Sequence, residues 1–364
     1  MKILLLFLII FQAHAAAQPW VKTTPKAAGV KSSEWDAFLS YAKSTEHGFS
    51  TNALMVIYKG QLIEHSTFNG FKKGQTHRQW SVSKSITSTL IGIAIKKGLL
   101  TLETPVKKYY PLHKDTKYSP VLKELLGMSS GLDWNEGYES NPLKSSVIAM
   151  LYTEGYKDMA SFTAARPFRA IPGEKFYYSS GETNLIMGML KKTMGQNDYA
   201  NYPWSQLFDP MGIKSATWER DGSDTFVGSS YLYMAPEDLA LIGMLYLNNG
   251  VFKGKRFLSK EWVKFSYQLS NPFFKYTKEK IDDSKNKRVE TYGAQWWLNA
   301  DVPGFPNSHP YPGLPTDAYM ALGHHGQILL IVPSKKLVLV RNGADKESKL
   351  DRVKFFDLLT KALP

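Results

Sequence analysis

The chain has 364 residues, 43% apolar and 21% charged, which is enough for a sizeable core and unlike a disordered chain. It contains no cysteine, which excludes disulfides, thiol nucleophiles, cysteine-held metals and a lipid-modified N-terminal cysteine. The formal charge of +13 suits nucleic acid, anionic lipid or acidic wall polymers, but the basic residues are scattered and no nucleic-acid motif accompanies them.

The opening "MKILLLFLIIFQAHAAAQPW" has Lys2, an apolar run from Ile3 to Phe11 and then small residues. It reads as a secretory signal, residues 1–17, cleaved after Ala15 or Ala17, and is too short and wrongly flanked for a spanning helix. No later segment reaches the ~20 apolar residues a spanning helix needs. The expected product, residues 18–364, is a soluble exported protein, periplasmic or secreted, with no transmembrane anchor.

Helical spacing follows in "KSSEWDAFLSYAKSTE", with Trp35, Phe38, Leu39 and Ala42 on one side. A hairpin is predicted next, Ala53 to Tyr58 and Gln61 to Phe68 around Lys59-Gly60. From Ser81 an apolar helix begins. The long middle is mostly helical, including "LKELLGMSSGLDW", "YYSSGETNLIMGMLKKTMG" and "APEDLALIGMLYLNNG". Strands return late, in "TYGAQWWLN", "AYMALGHH", "QILLIVPS" and "KLVLVRN", and a helix closes the chain. Strands at both ends imply an α+β fold in which the first hairpin joins the late strands. Its antiparallel sheet flanked by helices is expected from residues of about 18–80 and 289–364. A mainly helical subdomain of about 81–288 is inserted between them. The charged stretch from Lys275 to Arg288 is the candidate for a mobile loop.

Chemistry concentrates in "RQWSVSKSITSTLIGIAIKKGLL". Ser81 and Lys84 share a helix face, so the lysine amine can reach the serine hydroxyl. Burial disfavours the ammonium and lets the amine act as a base, which a weak serine nucleophile requires. The backbone N–H of a serine at a helix start has no helical partner and can help hold an oxyanion. The bland alternative is that Ser81 merely caps the helix. Spacing alone does not decide, because Ser40/Lys43 and Ser284/Lys287 repeat it. Only Ser81 opens an apolar helix after an aromatic residue, Trp80.

Two further stretches bear on the choice. In "FYYSSGETNLI" a tyrosine near a lysine ammonium can ionise more easily and relay a proton, although tyrosines at such junctions often only pack. Glu182, just after it, is a candidate substrate contact, but reads more readily as an exposed helix-start glutamate. "ALGHHGQILLIVP" places His324, His325, Gly326 and Gln327 between two strands. There Gly326 permits close approach of a ligand, and the Gln327 N–H is a candidate oxyanion donor. A plain polar turn is the alternative, and no His-Glu-x-x-His spacing supports a metal. The aromatic residues of "QWW" read chiefly as strand core, with the lining of an apolar acyl pocket as the alternative.

Ser81-Val-Ser-Lys84, Tyr178-Ser-Ser180 and His324-His-Gly326, in this order, resemble the three motifs of the serine beta-lactamase-related hydrolases. Those include class C beta-lactamases, D-alanyl-D-alanine carboxypeptidases, family VIII esterases and 6-aminohexanoate-dimer hydrolases. The resemblance covers nearly the whole mature chain and implies a beta-lactamase/transpeptidase-like fold with the site between sheet and helical part. It implies Ser81 as acyl-accepting nucleophile, Lys84 as its base and Tyr178 as proton carrier on the leaving-group side. The amides of Ser81 and Gln327 would form the oxyanion hole, with Ser180, His324 and Gly326 against substrate. No cofactor or metal is needed.

Two departures set the branch. Ser180 stands where an asparagine is usual, which weakens the case for efficient antibiotic hydrolysis. His324 stands where a lysine would grip a substrate carboxylate, and a neutral histidine supplies no fixed cation. Both point to the esterase and amidase branch, and the motifs look most like those of the 6-aminohexanoate-dimer hydrolase group. The expected partner is a small-molecule or short-peptide ester or amide. The alternatives are a D-Ala-D-Ala carboxypeptidase or penicillin-binding protein, and a non-catalytic protein binding cell-wall fragments.

Overall fold

The structure, a computed structural model, describes residues 20–45, 48–113, 116–138, 142–270, 288–346 and 349–364. The signal-like opening, and all of the charged stretch except Arg288, lie outside the described residues. Eight strands form one sheet. Its order is Val21–Lys22, Gln61–Thr67, Thr51–Tyr58, Leu337–Gly343, Gln327–Val332, Tyr319–Gly323, Trp297–Leu298 and Thr291–Tyr292. Every pairing is antiparallel except that of Val21–Lys22, which runs parallel to Gln61–Thr67 at the edge. The first hairpin meets the last strand in the register Val56 opposite Leu339, which in turn faces Leu330.

Successive strand residues point to opposite faces, and here both faces are covered. Met55, Ile57, Leu329, Ile331, Val338 and Val340 pack with Ile86 and Leu90 of the helix Val82–Lys96 and with Ile242 and Leu245 of the helix Pro236–Leu247. Leu54, Val56, Leu330 and Leu339 pack with Phe38 of the helix Ser32–Lys43 and Phe355 and Leu359 of the helix Arg352–Ala362. Two-sided burial explains why "QILLIV" and "LVLV" read as unbroken apolar runs rather than alternating ones. Gly243 lets its helix lie close on the sheet, since a Cβ there would stand 2.5 Å from Val338.

Two sequence expectations change in detail. "TYGAQWWLN" is a tight hairpin, not one strand: Trp297 pairs back on Tyr292. Gln295 at its turn has a φ of 67°, and its side-chain amide donates to the carbonyls of Leu125 and Leu126. A small second sheet pairs Thr217–Trp218 and Leu232–Met234, from the mostly helical middle, with His77–Arg78 just before the Ser81 helix. Strands this short carry no readable alternation. Among the described residues, no helix is long and apolar enough to cross a membrane.

Behind the turn at residues 324–326 lies a fully buried ion pair. Arg341 donates to Asp345 through Nη2 at 2.7 Å and Nη1 at 3.0 Å, to the Gly326 carbonyl at 2.8 Å and to Thr51 Oγ1 at 2.9 Å. Asp345 also accepts from the Ser50 amide at 2.9 Å. Removing one member of such a pair leaves an uncompensated buried charge, whereas an apolar pair is tolerated. Asp345→Ala is expected to lower the unfolding free energy by about 3–5 kcal/mol in urea titrations, and Arg341→Met with Asp345→Leu by much less.

Candidate active site

Trp80 adopts a φ of 49°, in the left-handed region that disfavours large side chains, and this turn delivers Ser81 to the start of its helix. Ser81 occupies the cap position, yet its side chain caps nothing. Lys84 Nζ donates to Ser81 Oγ at 2.9 Å instead. The capping alternative is therefore set aside by geometry. Ser40 and Lys43 lie within the helix Ser32–Lys43, remote in sequence from the other motifs, and Ser284/Lys287 lies outside the described residues.

Lys84 is 1% exposed. Its amine also reaches Ser180 Oγ at 3.0 Å and the Ser229 carbonyl at 3.2 Å, and sits 4.8 Å from the ring centre of Tyr178. Burial pulls its pKa down to about 8, against the opposing pull of the Glu136 carboxylate. Tyr178 behaves differently from the sequence expectation of easier ionisation. Burial first, and Glu136 second, push its pKa well up, outweighing a hydrogen bond with the Ser81 side chain. Tyr178 thus keeps its proton. Its ring stacks on Trp297 at 5.3 Å, while Trp296 beside it is wholly core.

Glu136 is the residue that the motifs did not reveal. Ser180 donates to it twice, from Oγ to Oε1 at 2.5 Å and from the backbone N–H to Oε2 at 2.9 Å. Trp134 Nε1 donates to Oε2 at 2.6 Å. A chain of contacts therefore runs from Ser81 through Lys84 and Ser180 to Glu136. The one signal in the sequence was Ser180 itself: a hydroxyl is shorter than the usual carboxamide and leaves room for a partner. Asn184 was also missed. It holds the Ser229 loop through the Ser229 amide at 3.2 Å and Oγ at 3.2 Å, presenting that loop's carbonyl to Lys84. Glu182, expected to be exposed, is 2% exposed because Ser130 folds over it and donates to Oε1 at 2.8 Å. Burial pushes its carboxyl up to about 8.

The third motif packs against the Trp80 turn. The His324 ring lies 5.4 Å from Trp80 edge-on and stacks on Tyr138 at 5.6 Å. His325, at a φ of 58°, sets its ring edge-on to Trp80 at 5.5 Å and its Nδ1 2.7 Å from the Asp345 carbonyl. The Cβ direction of Gly326, at a φ of 80°, points at the buried pair rather than into open space, and a Cβ would meet Asp345 Oδ2 at 2.0 Å. The Gln327 side chain is buried, donating to the carbonyls of His324 at 3.1 Å and Gly343 at 2.7 Å.

The sequence matches the beta-lactamase family over residues 40–353. The chain belongs to that family. Its members are serine hydrolases. The chain is 24% identical over 302 residues to the 6-aminohexanoate-dimer hydrolase of Paenarthrobacter ureafaciens, covering 80% of this chain and 72% of that protein. Among solved structures, the beta-lactamase/D-alanine carboxypeptidase of Yersinia pestis complexed with citrate superposes with a TM-score of 0.66 at 19% identity. The match covers 91% of this chain and 97% of that one. EstCE1, a hydrolase with promiscuous acyltransferase activity, gives 0.67 at 13% identity over 91% and 98%. At these identities the structural likeness shows the fold, which is the α+β beta-lactamase/transpeptidase-like one.

The Glu136 charge holds the Lys84 pKa up against burial. Glu136→Gln keeps an acceptor for Ser180 but removes the charge, so the Lys84 pKa is expected to fall below about 8. Titration of carbon-labelled lysine side chains by nuclear magnetic resonance checks this. An unchanged or higher value contradicts the assignment.

Proposed function

We propose that this beta-lactamase-family protein is an exported serine hydrolase, esterase or amidase in type and similar to 6-aminohexanoate-dimer hydrolases, that works through an acyl-enzyme on Ser81. The observation that carries the reading is the 2.9 Å contact between a half-buried serine hydroxyl and a fully buried amine whose pKa is lowered to about 8. Ser81 Oγ attacks the ester or amide carbonyl carbon, and neutral Lys84 Nζ takes its proton. The oxyanion is received by the backbone N–H groups of Ser81 and Gln327. As the tetrahedral species collapses, the carbonyl–leaving-group bond breaks and Tyr178 hands its proton to the departing atom. The Lys84 proton then returns to Tyr178. Attack by water on the acyl ester, with the same groups in reverse, releases the acid and restores Ser81.

Raising the Tyr178 pKa suits this division of labour, since a tyrosine that keeps its proton serves as an acid beside a lysine that readily loses one. His324, Gly326 and Ser180 border the reacting centre. Histidine in place of a fixed cation in the third motif favours esters and amides over D-Ala-D-Ala ends. The signal-like opening supports export to the periplasm or beyond.

With para-nitrophenyl butyrate, Ser81→Ala is expected to lose at least about a thousandfold in kcat with an unchanged circular dichroism spectrum. Mass spectrometry of the quenched parent protein should place the butyryl group on the peptide containing Ser81. Because the base must be neutral, kcat/KM should rise with pH and level off above about 8, following Lys84. Equal activity in parent and Ser81→Ala overturns the reading. Saturable binding of wall fragments with no adduct would indicate a binding protein instead.

A further inference from the structure

The loop that carries Glu136 meets the helix Ser180–Met194 at three successive residues. Ser180 donates to Glu136 through its hydroxyl and its amide. Gly181 lies under the Trp134 indole, so close that a Cβ there would stand 2.5 Å from the ring. Glu182 accepts from Ser130, at Oε1 from the hydroxyl at 2.8 Å and at Oε2 from the amide at 3.4 Å. Loop residues 136, 134 and 130 thus fall in reverse order on helix residues 180, 181 and 182. Their even spacing reflects a backbone that alternates inward and outward. Leu132 and Trp134 are buried, Asp133 is half-buried and Asn135 is exposed.

The two carboxyl groups of this clamp differ in kind. Glu136 stands one hydroxyl away from Lys84 and holds that amine's pKa up against burial. Glu182 is wholly buried, and among the described residues its side chain is bonded to Ser130 alone, with no ion pair. Burial pushes its carboxyl up to about 8, so near neutral pH it is mostly uncharged. Its contact with Ser130 persists in that form, because a protonated carboxyl keeps acceptor capacity. Ser130 Oγ also accepts from the Leu132 amide at 3.2 Å, which carries the restraint along the loop. The bond from Trp134 to Glu136 lies within the loop and moves with it. Fixed points therefore come from the helix, Ser180 at one end of the loop and Glu182 at the other.

We infer that Glu182 is a positioning residue for the hydrolytic reaction: through Ser130 it anchors the far end of the loop that sets the Glu136 carboxylate against Ser180 and Lys84. The inference rests on the hydrolase reading above, which makes Lys84 the base. Glu182 acts through Glu136 and touches no reacting atom.

Titration of carbon-labelled lysine side chains by nuclear magnetic resonance separates position from charge, with folding checked by circular dichroism. Glu182→Gln removes the ionisable group but keeps an acceptor for Ser130, so the Lys84 pKa should stay at about 8. Glu182→Ala removes the anchor, and the Lys84 pKa should fall, in the direction expected of Glu136→Gln. Combined with Glu136→Gln it should add no further fall, since both act through one carboxylate. Ser130→Ala, which leaves Glu182 in place, should repeat the fall and serves if Glu182→Ala does not fold. With para-nitrophenyl butyrate, Glu182→Ala should lose about tenfold to a hundredfold in kcat, the scale of a small misplacement, with KM little changed. The pH at which kcat/KM levels off should move down with Lys84, and Glu182→Gln should restore both. An equal fall of the Lys84 pKa in Glu182→Gln and Glu182→Ala, or no fall in Glu182→Ala and Ser130→Ala, overturns the positioning role. The expected titration pattern without turnover of any ester overturns the hydrolase reading and leaves the anchor standing.

Discussion

The amine of Lys84 is held out of water, and its neighbours are arranged around that cost. An isolated buried ammonium is prohibitive, so the group either loses its proton or gains partners. This protein takes an intermediate course. Two hydroxyls and one carbonyl surround the amine within 3.2 Å, and a carboxylate stands one hydroxyl away. The result is a base with a pKa of about 8 instead of one locked as a cation. Burial separates the two groups, lowering Lys84 and raising Tyr178, while the same carboxylate raises both, so the tyrosine keeps its proton where Lys84 readily gives one up.

Holding these groups in place requires a platform that does not yield. The sheet supplies it through burial on both faces, with helices of the N- and C-terminal segments on one side and the Ser81 helix on the other. The polar cost of joining the two halves falls on a few groups. Gln79 donates to the Met234 carbonyl at 2.9 Å, Asn342 reaches Gln79 at 3.3 Å, and the Arg341–Asp345 pair ties the third-motif turn to the first hairpin. Each of these joins segments far apart in sequence.

That distance also explains what sequence reading captures here. The Ser81–Lys84 contact is legible because both residues lie on one helix, where three positions of spacing dictate proximity. The late strands are legible because buried strands leave apolar runs, and the closing helix because its apolar residues recur with helical spacing. Glu136 has no such period: it sits in a loop and acquires meaning only where that loop crosses the start of the Ser180 helix. Glu182 was misjudged for the same reason, since a helix-start glutamate is exposed unless another segment covers it, as Ser130 does. The requirement for glycine at 326 was visible, but its cause, a buried pair on the far side of the turn, was not.

Trp80 shows where this chain stops short of its own stability optimum. A large residue at a φ of 49° costs on the order of 1–3 kcal/mol, and glycine would remove that cost. Yet its indole is the surface on which His324, His325 and Tyr231 converge, with the Arg78 guanidinium 4.9 Å from its ring centre. Relaxing the backbone would therefore dissolve the seam joining the nucleophile to the third motif. Variants selected for heat resistance should leave this position untouched and accumulate their gains elsewhere, because strain of this kind is retained for placement.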